Sequence, residues 1–239
     1  MKLMSVSDEE ELSRIAAEIL FAKVKSAKRL VLGLATGKTP QGMYRYLSKY
    51  SKECKQTFQH IHTVNLDEYV GSATYHAYME EHLFRHIDIS KDQTHIPDGE
   101  AASLIEECSR YEQMIKELGG IDLQVLGIGE NGHIGFNEPG TSFDSRTHVV
   151  QLTDSTLKAN AKYFVESEQP KQAITMGIGT ILESKEVLLL AIGERKANAV
   201  KELFKGSLNE DIPATALINH PNVTVLADKG ARKLLDKER

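Results

Sequence analysis

Along most of the chain, apolar runs of strand length alternate with stretches whose apolar positions recur at helical spacing. Ser7-Asp8-Glu9-Glu10 has capping-box spacing, and Leu12, Ile15, Ala16 and Ile19 then predict a helix over about 8–26. Arg29 to Ala35 reads as a buried strand. Thr36-Gly37-Lys38-Thr39-Pro40 is a turn, with Pro40 suited to the first position of a helix reaching about Tyr50. His60 to Leu66 is a second strand and ends in Asp67-Glu68-Tyr69. Met79, Leu83 and Ile87 mark one face of a following helix. Ser103 and Glu106 open another capped helix carrying Leu104, Cys108, Tyr111, Ile115 and Leu118. Gly119-Gly120 ends it, and Ile121 to Leu126 is the next strand. Further on, Arg146 to Leu152 is extended, and Thr153-Asp154 caps a helix to about Phe164. Ala173 to Met176 and Glu186 to Ile192 are strands, Glu194 to Phe204 is a helix, and Val223 to Ala227 is a last strand.

Strands alternating with helices predict an α/β fold: a doubly wound, mostly parallel sheet flanked by helices. No linker rich in Pro, Gly or Ser divides the chain, so residues 1–239 are expected to form a single domain. Ligands of such sheets sit beyond the carboxyl ends of the strands. The polar clusters at 36–40, 67–69, 127–140 and 193–196 all follow strands and are expected to converge on one pocket.

Composition narrows the function classes. A net charge of −5 and a pI near 6.0 argue against nucleic-acid binding as the main task. The longest apolar runs fall far short of the roughly 20 residues that cross a bilayer. The N-terminus, MKLMSVSDEEELSR, has no apolar signal core. Cys54 and Cys108 make no disulfide framework and fit a reducing compartment, so a cytoplasmic location is expected.

Two glycine-rich stretches come close to nucleotide motifs and fail. Gly127-x-Gly129-x-x-Gly132 matches the dinucleotide pattern, which should open a helix, but Pro139 forbids a helix through HIGFNEPG. Gly33-x-x-x-Gly37-Lys38-Thr39 is one residue short of a P-loop. Its strand–turn–helix context still offers backbone N–H groups, two hydroxyls and a cation, an arrangement suited to a single phosphate; an ordinary turn with a solvated lysine is the plainer alternative. His82-x-x-x-His86 has Leu83 where a zincin needs glutamate, and no cysteine cluster exists, so no metal site is expected.

Asp67, His133 or Glu138 alone would pass for a cap or surface residue. Together with a phosphate loop, they are the inventory for proton transfers on a phosphorylated small molecule. An imidazole exchanges protons near neutral pH, and a nearby carboxylate orients it.

These residues lie in stretches that resemble the glucosamine-6-phosphate deaminase (isomerase) family along essentially the whole chain. The matching stretches are ATGKTPQGMY at 35–44, NLDEYVG at 65–71, LGIGENGHIGFNEPG at 126–140, SRTHVVQLT at 145–153, AITMGIGTIL at 173–182, GERKANAV at 193–200 and the PATALINHPNVTVLAD tail. The length resembles the short bacterial form. The resemblance implies a Rossmann-like sugar-phosphate isomerase fold. It also implies conversion of D-glucosamine 6-phosphate and water to D-fructose 6-phosphate and ammonia, in amino-sugar catabolism. His133 would open the sugar ring, with Asn131 and Glu138 orienting it. Asp67 would move a proton from C2 to C1 through an enolamine. The backbone of Thr36, Gly37, Lys38 and Thr39, with Lys196, would hold the phosphate. Lys162 aligns with a second phosphate ligand that is often arginine, and the segment from about 152 to 172 with a mobile lid. No cofactor is implied, and the short C-terminus favours a monomer over a homo-oligomer.

Two departures qualify the match. Asn131 stands where some members have aspartate and stabilises an imidazolium less. Lys162 lacks the bidentate fork of arginine. The nearest rival is 6-phosphogluconolactonase, which shares the fold and a similar glycine–histidine loop; Asn137-Glu138-Pro139-Gly140 and Asp67-Glu68-Tyr69 favour the deaminase. A non-catalytic sugar-phosphate sensor is disfavoured because Asp67, His133 and Glu138 are all present.

Overall fold

The computed structural model describes residues 1–153, 157 and 169–237. The described strands are β1 (Lys2–Ser5), β2 (Leu30–Leu34), β3 (Ile61–Asn65), β4 (Asp67–Tyr69), β5 (Thr94–His95), β6 (Leu123–Gly127), β7 (His148–Gln151), β8 (Gln172–Thr175), β9 (Val187–Ala191) and β10 (Val223–Ala227). The described α-helices are α1 (Glu9–Ser26), α2 (Gln41–Cys54), α3 (Thr74–His82), α4 (Leu104–Glu117), α5 (Ile178–Leu182) and α6 (Ala197–Lys205).

The main sheet has seven strands in the order β1-β10-β9-β6-β2-β3-β5. All its pairings are parallel. Its central strands are almost wholly buried because helices cover both faces, and β2 and β9 carry no polar side chain. Leu30, Leu32 and Leu34 of β2 pack with Leu12, Leu20, Met43 and Leu47 of α1 and α2. Val31 and Val64 face the opposite way, into the core completed by Tyr111, Ile181, Val200 and Leu203 of α4, α5 and α6. No helix among the described residues is long and apolar enough to cross a membrane.

Several expectations shift. The strand expected at 173–176 and the extended stretch at 146–152 do not join the main sheet. As β8 and β7 they form a separate antiparallel sheet, order β4-β8-β7, in which Asp67-Glu68-Tyr69 is itself a strand. The helix expected to carry Met79, Leu83 and Ile87 ends at His82, where Leu83 leaves helical geometry (φ −138°), and a 3-10 turn follows over Phe84–His86. His82 and His86 therefore do not share a helix face. Asp8, rather than Ser7, caps α1, accepting from the Glu11 N–H at 2.9 Å. Pro40 sits one residue ahead of α2. β1, β5 and α5 were not expected. The helix predicted from Asp154 to Phe164 and most of the predicted lid lie outside the described residues.

Candidate active site

β9, β6, β2 and β3 are consecutive in the main sheet, so the loops leaving their carboxyl ends are neighbours. These four loops carry the four polar clusters. Between them lies a cavity of about 510 Å³ whose wall includes Thr36, Asp67, Asn131, His133 and Lys196.

Asp67 opens β4, opposite Thr175 of β8, and is 6 % exposed. Its Oδ1 is buried without a hydrogen-bond partner among the described residues. Burial, and then the negative charge of the adjacent Glu68, push its carboxyl up to about 8. The glycine loop passes close by. A Cβ on Gly135 (φ +59°) would stand 3.0 Å from the Thr175 hydroxyl and 3.7 Å from Asp67 Oδ2. Glycine there keeps backbone and carboxyl within reach of one small substrate.

His133 sits on that same loop. Its Nδ1 lies 2.7 Å from Asn131 Oδ1, and Asn131 Nδ2 donates to Glu138 Oε2 at 2.7 Å. The Asn131 orientation follows from this network: its NH2 group faces a carboxylate, and its oxygen also accepts the His133 backbone N–H at 3.2 Å. A neutral imidazole therefore carries its proton on Nδ1 and its lone pair on Nε2. Glu138 Oε2 is also 3.7 Å from Nδ1. Burial lowers the imidazole below its ordinary value; the charge of Glu138 raises it again in part, while Lys196 lowers it. The ring packs where Gly129 would have its Cβ, only 2.2 Å from Nδ1, so this glycine is a space requirement. Buried Asn137 pins the loop from below, donating to the carbonyls of Ile134 and Met176 at 2.9 Å each.

The phosphate-loop residues separate. Thr36 lines the cavity, Gly37 takes φ +96° beside it, and exposed Lys38 and half-buried Thr39 do not reach the wall. α3 braces this turn, with the Tyr78 hydroxyl donating to the Gly37 carbonyl at 2.5 Å. Lys196 closes the 3-10 turn Glu194–Lys196 after Gly193 (φ +88°) and lines the cavity. Burial lowers its ammonium. Lys162 lies outside the described residues.

Tyr75 lies outside the clusters expected to form the pocket, and Glu130, Phe136 and Arg195 lie inside them without having been singled out; all four line the wall. Tyr75 lies in the first turn of α3 and hydrogen-bonds the Tyr69 hydroxyl at 3.2 Å. Its ring stacks on Phe136, with centroids 6.4 Å apart. Arg195 pairs with Glu130 at 2.6 Å. The available signal was position: each lies within a few residues of a strand end already singled out. Among the described residues, no three of His, Cys, Asp and Glu gather as a metal ion would need.

Residues 7–226 match the family described as glucosamine-6-phosphate isomerases/6-phosphogluconolactonase. A glucosamine-6-phosphate deaminase of Shouchella clausii (strain KSM-K16) is 54% identical over 237 residues, 97% of this chain and 96% of that one. Glucosamine-6-phosphate deaminase 1 of Bacillus subtilis (strain 168) is 52% identical over 240 residues, 98% of this chain and 99% of that one. The solved structure of a monomeric glucosamine-6-phosphate deaminase superposes with a TM-score of 0.95 at 52% identity, covering 98% of this chain and all of that one. A 6-phosphogluconolactonase from Trypanosoma cruzi shares the fold, with a TM-score of 0.78 at 21% identity over 98% of this chain and 96% of its own. The chain belongs to the family of glucosamine-6-phosphate isomerases and 6-phosphogluconolactonases, on its deaminase side.

Proposed function

We propose that this cavity converts D-glucosamine 6-phosphate and water to D-fructose 6-phosphate and ammonia, with the proton transfers divided between Asp67 and His133. The observation that carries the division is the buried, unpartnered oxygen of Asp67 in the same wall as His133 and Asn131, which Glu138 holds from behind the wall.

The lone pair on His133 Nε2 takes the proton of the C1 hydroxyl and returns one to the ring oxygen, which opens the pyranose. Asn131 keeps the tautomer that this step requires, and Glu138 orients Asn131. Asp67 then removes the proton from C2 of the open-chain aldehyde while O1 takes up a proton, giving an enolamine; Asp67 delivers its proton to C1, and the nitrogen gives up a proton in place of the one O1 has gained. The resulting imine at C2 adds water and expels ammonia. A carboxyl with its value near 8 suits a group that must take up a proton and hold it until delivery.

The backbone at 36–39 and Lys196 hold the phosphate in this reading, and Lys162 joins them from the segment beyond the described residues. In its support, among the described residues nothing accepts the N–H groups of Gly37, Lys38 or Thr39. They lie just ahead of α2, where helix geometry favours an anion. The substrate's own amine activates C2, so no cofactor enters the scheme. The same reading takes residues 1–239 as one domain acting as a monomer in the cytoplasm. A monomeric relative of TM-score 0.95 and the free, exposed thiol of Cys54 support it.

An ammonia-coupled assay with glucosamine 6-phosphate, run beside hydrolysis of 6-phosphogluconolactone, tests the reaction. Ammonia release without lactone hydrolysis supports it; lactone hydrolysis alone overturns it.

A further inference from the structure

Glu68 has no place in this mechanism, yet its carboxylate is fully buried. Successive residues of a strand point to opposite faces, so Asp67 of β4 enters the cavity while Glu68 points away from it, under α3. There its Oε1 accepts the N–H of Tyr69 at 2.8 Å and of Tyr75 at 3.0 Å. Its Oε2 accepts the N–H of Tyr75 and of His76 at 3.0 Å each, and lies 3.1 Å from His76 Nδ1. Every described partner of both oxygens can donate, so both oxygens are engaged as acceptors at the positive end of a nine-residue helix.

We propose that Glu68 is a positioning residue for the proton transfers at Asp67: clamped on the first turn of α3, it holds a second negative charge one residue from the base and fixes Tyr75 beside it. The inference rests on the reading of Asp67 as the C2 base. An isolated buried carboxylate would be costly here, and the first-turn N–H groups of α3 offset that cost. The charge that results cannot relax away when substrate enters. It makes ionised Asp67 less favourable, and so makes the carboxylate a stronger base and a better proton carrier. Among the described residues, Asp67 also acts on the buried phenols of Tyr44, Tyr75 and Tyr111, each held neutral with its ionisation pushed up first by burial, and it shares the cavity wall with His133 and Lys196. Glu68 is thus the one group whose charge raises Asp67 among those described. α3 also carries Tyr78, whose hydroxyl holds the Gly37 carbonyl, so the same clamp ties the base to the phosphate turn.

The test is the pH dependence of kcat/KM for glucosamine 6-phosphate in three variants. Glu68→Gln removes the charge, and the acid limb assigned to Asp67 moves to lower pH by on the order of one unit. His76→Lys, at a side chain that is 50% exposed, sets a permanent cation on Glu68 and moves the limb the same way by less. A purely structural role would lower thermal stability and leave the limb in place. Asp67→Asn separates the two levels of the argument. If it keeps turnover, the base assignment itself fails. If it loses turnover while the limb is unmoved in both other variants, only the proposal for Glu68 is overturned. Should Glu68→Gln not fold, the limb of His76→Lys decides alone.

Discussion

The Nδ1 of His133 lies 2.7 Å from the Asn131 side-chain oxygen, and that contact fixes which ring nitrogen is free to act. Replacing the amide with Asn131→Asp places a charge at the same distance and favours the imidazolium. The His133 value, now lowered mainly by burial, therefore rises. The neutral ring is then available only at higher pH, so the limb of ring opening that needs it moves up. An NMR titration of the ring C–H signals reads the shift directly; an unmoved or lowered value contradicts the tautomer assignment.

Gly129 tests the geometry of the same ring. A Cβ there would come within 2.2 Å of His133 Nδ1 and 2.3 Å of its Cε1. Gly129→Ala is expected to cost about 1–3 kcal/mol of stability by overpacking, and to lower kcat/KM further by displacing the ring. Denaturant unfolding and steady-state kinetics separate the two losses. Retained kcat/KM shows that the ring does not act from this position.

Asp67 links the site to stability. Its carboxyl is raised to about 8 in the folded protein, whereas an unfolded aspartate ionises near its ordinary value of 3.8. Between those values the folded state holds a proton that the unfolded chain has released. Stability therefore falls as pH rises through this window, by on the order of 2–5 kcal/mol in total. Asp67→Asn removes that fall, so its melting temperature gains on that of the parent from pH 4 to pH 8. Parallel curves for the two proteins would show that the carboxyl is not raised.

Lys196 carries the phosphate in this account. Lys196→Ala is expected to raise KM by a factor equivalent to about 1–3 kcal/mol, with a smaller effect on kcat. An unchanged KM moves the phosphate elsewhere.

The sequence carried the main sheet well, for a physical reason. β2 and β9 are buried on both faces and read as uninterrupted apolar runs, while β3, β6 and β10 keep enough apolar positions around His62, Thr63, Gln124 and Thr224 to be read as strands closed by turn residues. β7 and β8 read equally well as extended, but periodicity says nothing about which sheet a strand joins. β1 carries only Leu3 and Met4 as partly buried positions, and the two residues of β5 are too few to form a pattern. In the site, Asp67 and His133 drew notice only as a set with Glu138 and a phosphate-like turn, since each alone passes for a cap or surface residue, while Asn131 and Lys196 entered through the family resemblance. Lys38 and Thr39 were placed with them by the near-P-loop spacing; neither lines the cavity wall, so any part they play falls to their backbone N–H groups. Glu68 was not legible as a buried group: its burial depends on where α3 lands, which no local pattern encodes.

The division of labour between Asp67 and His133 is tested most directly by ammonia release from ring-form and open-chain glucosamine 6-phosphate, measured for Asp67→Asn and His133→Gln. Asp67→Asn is predicted to fold and to lose turnover on both forms, while His133→Gln loses far more on the ring than on the open chain. Near-normal turnover in the first variant, or equal losses on both substrates in the second, would contradict the account.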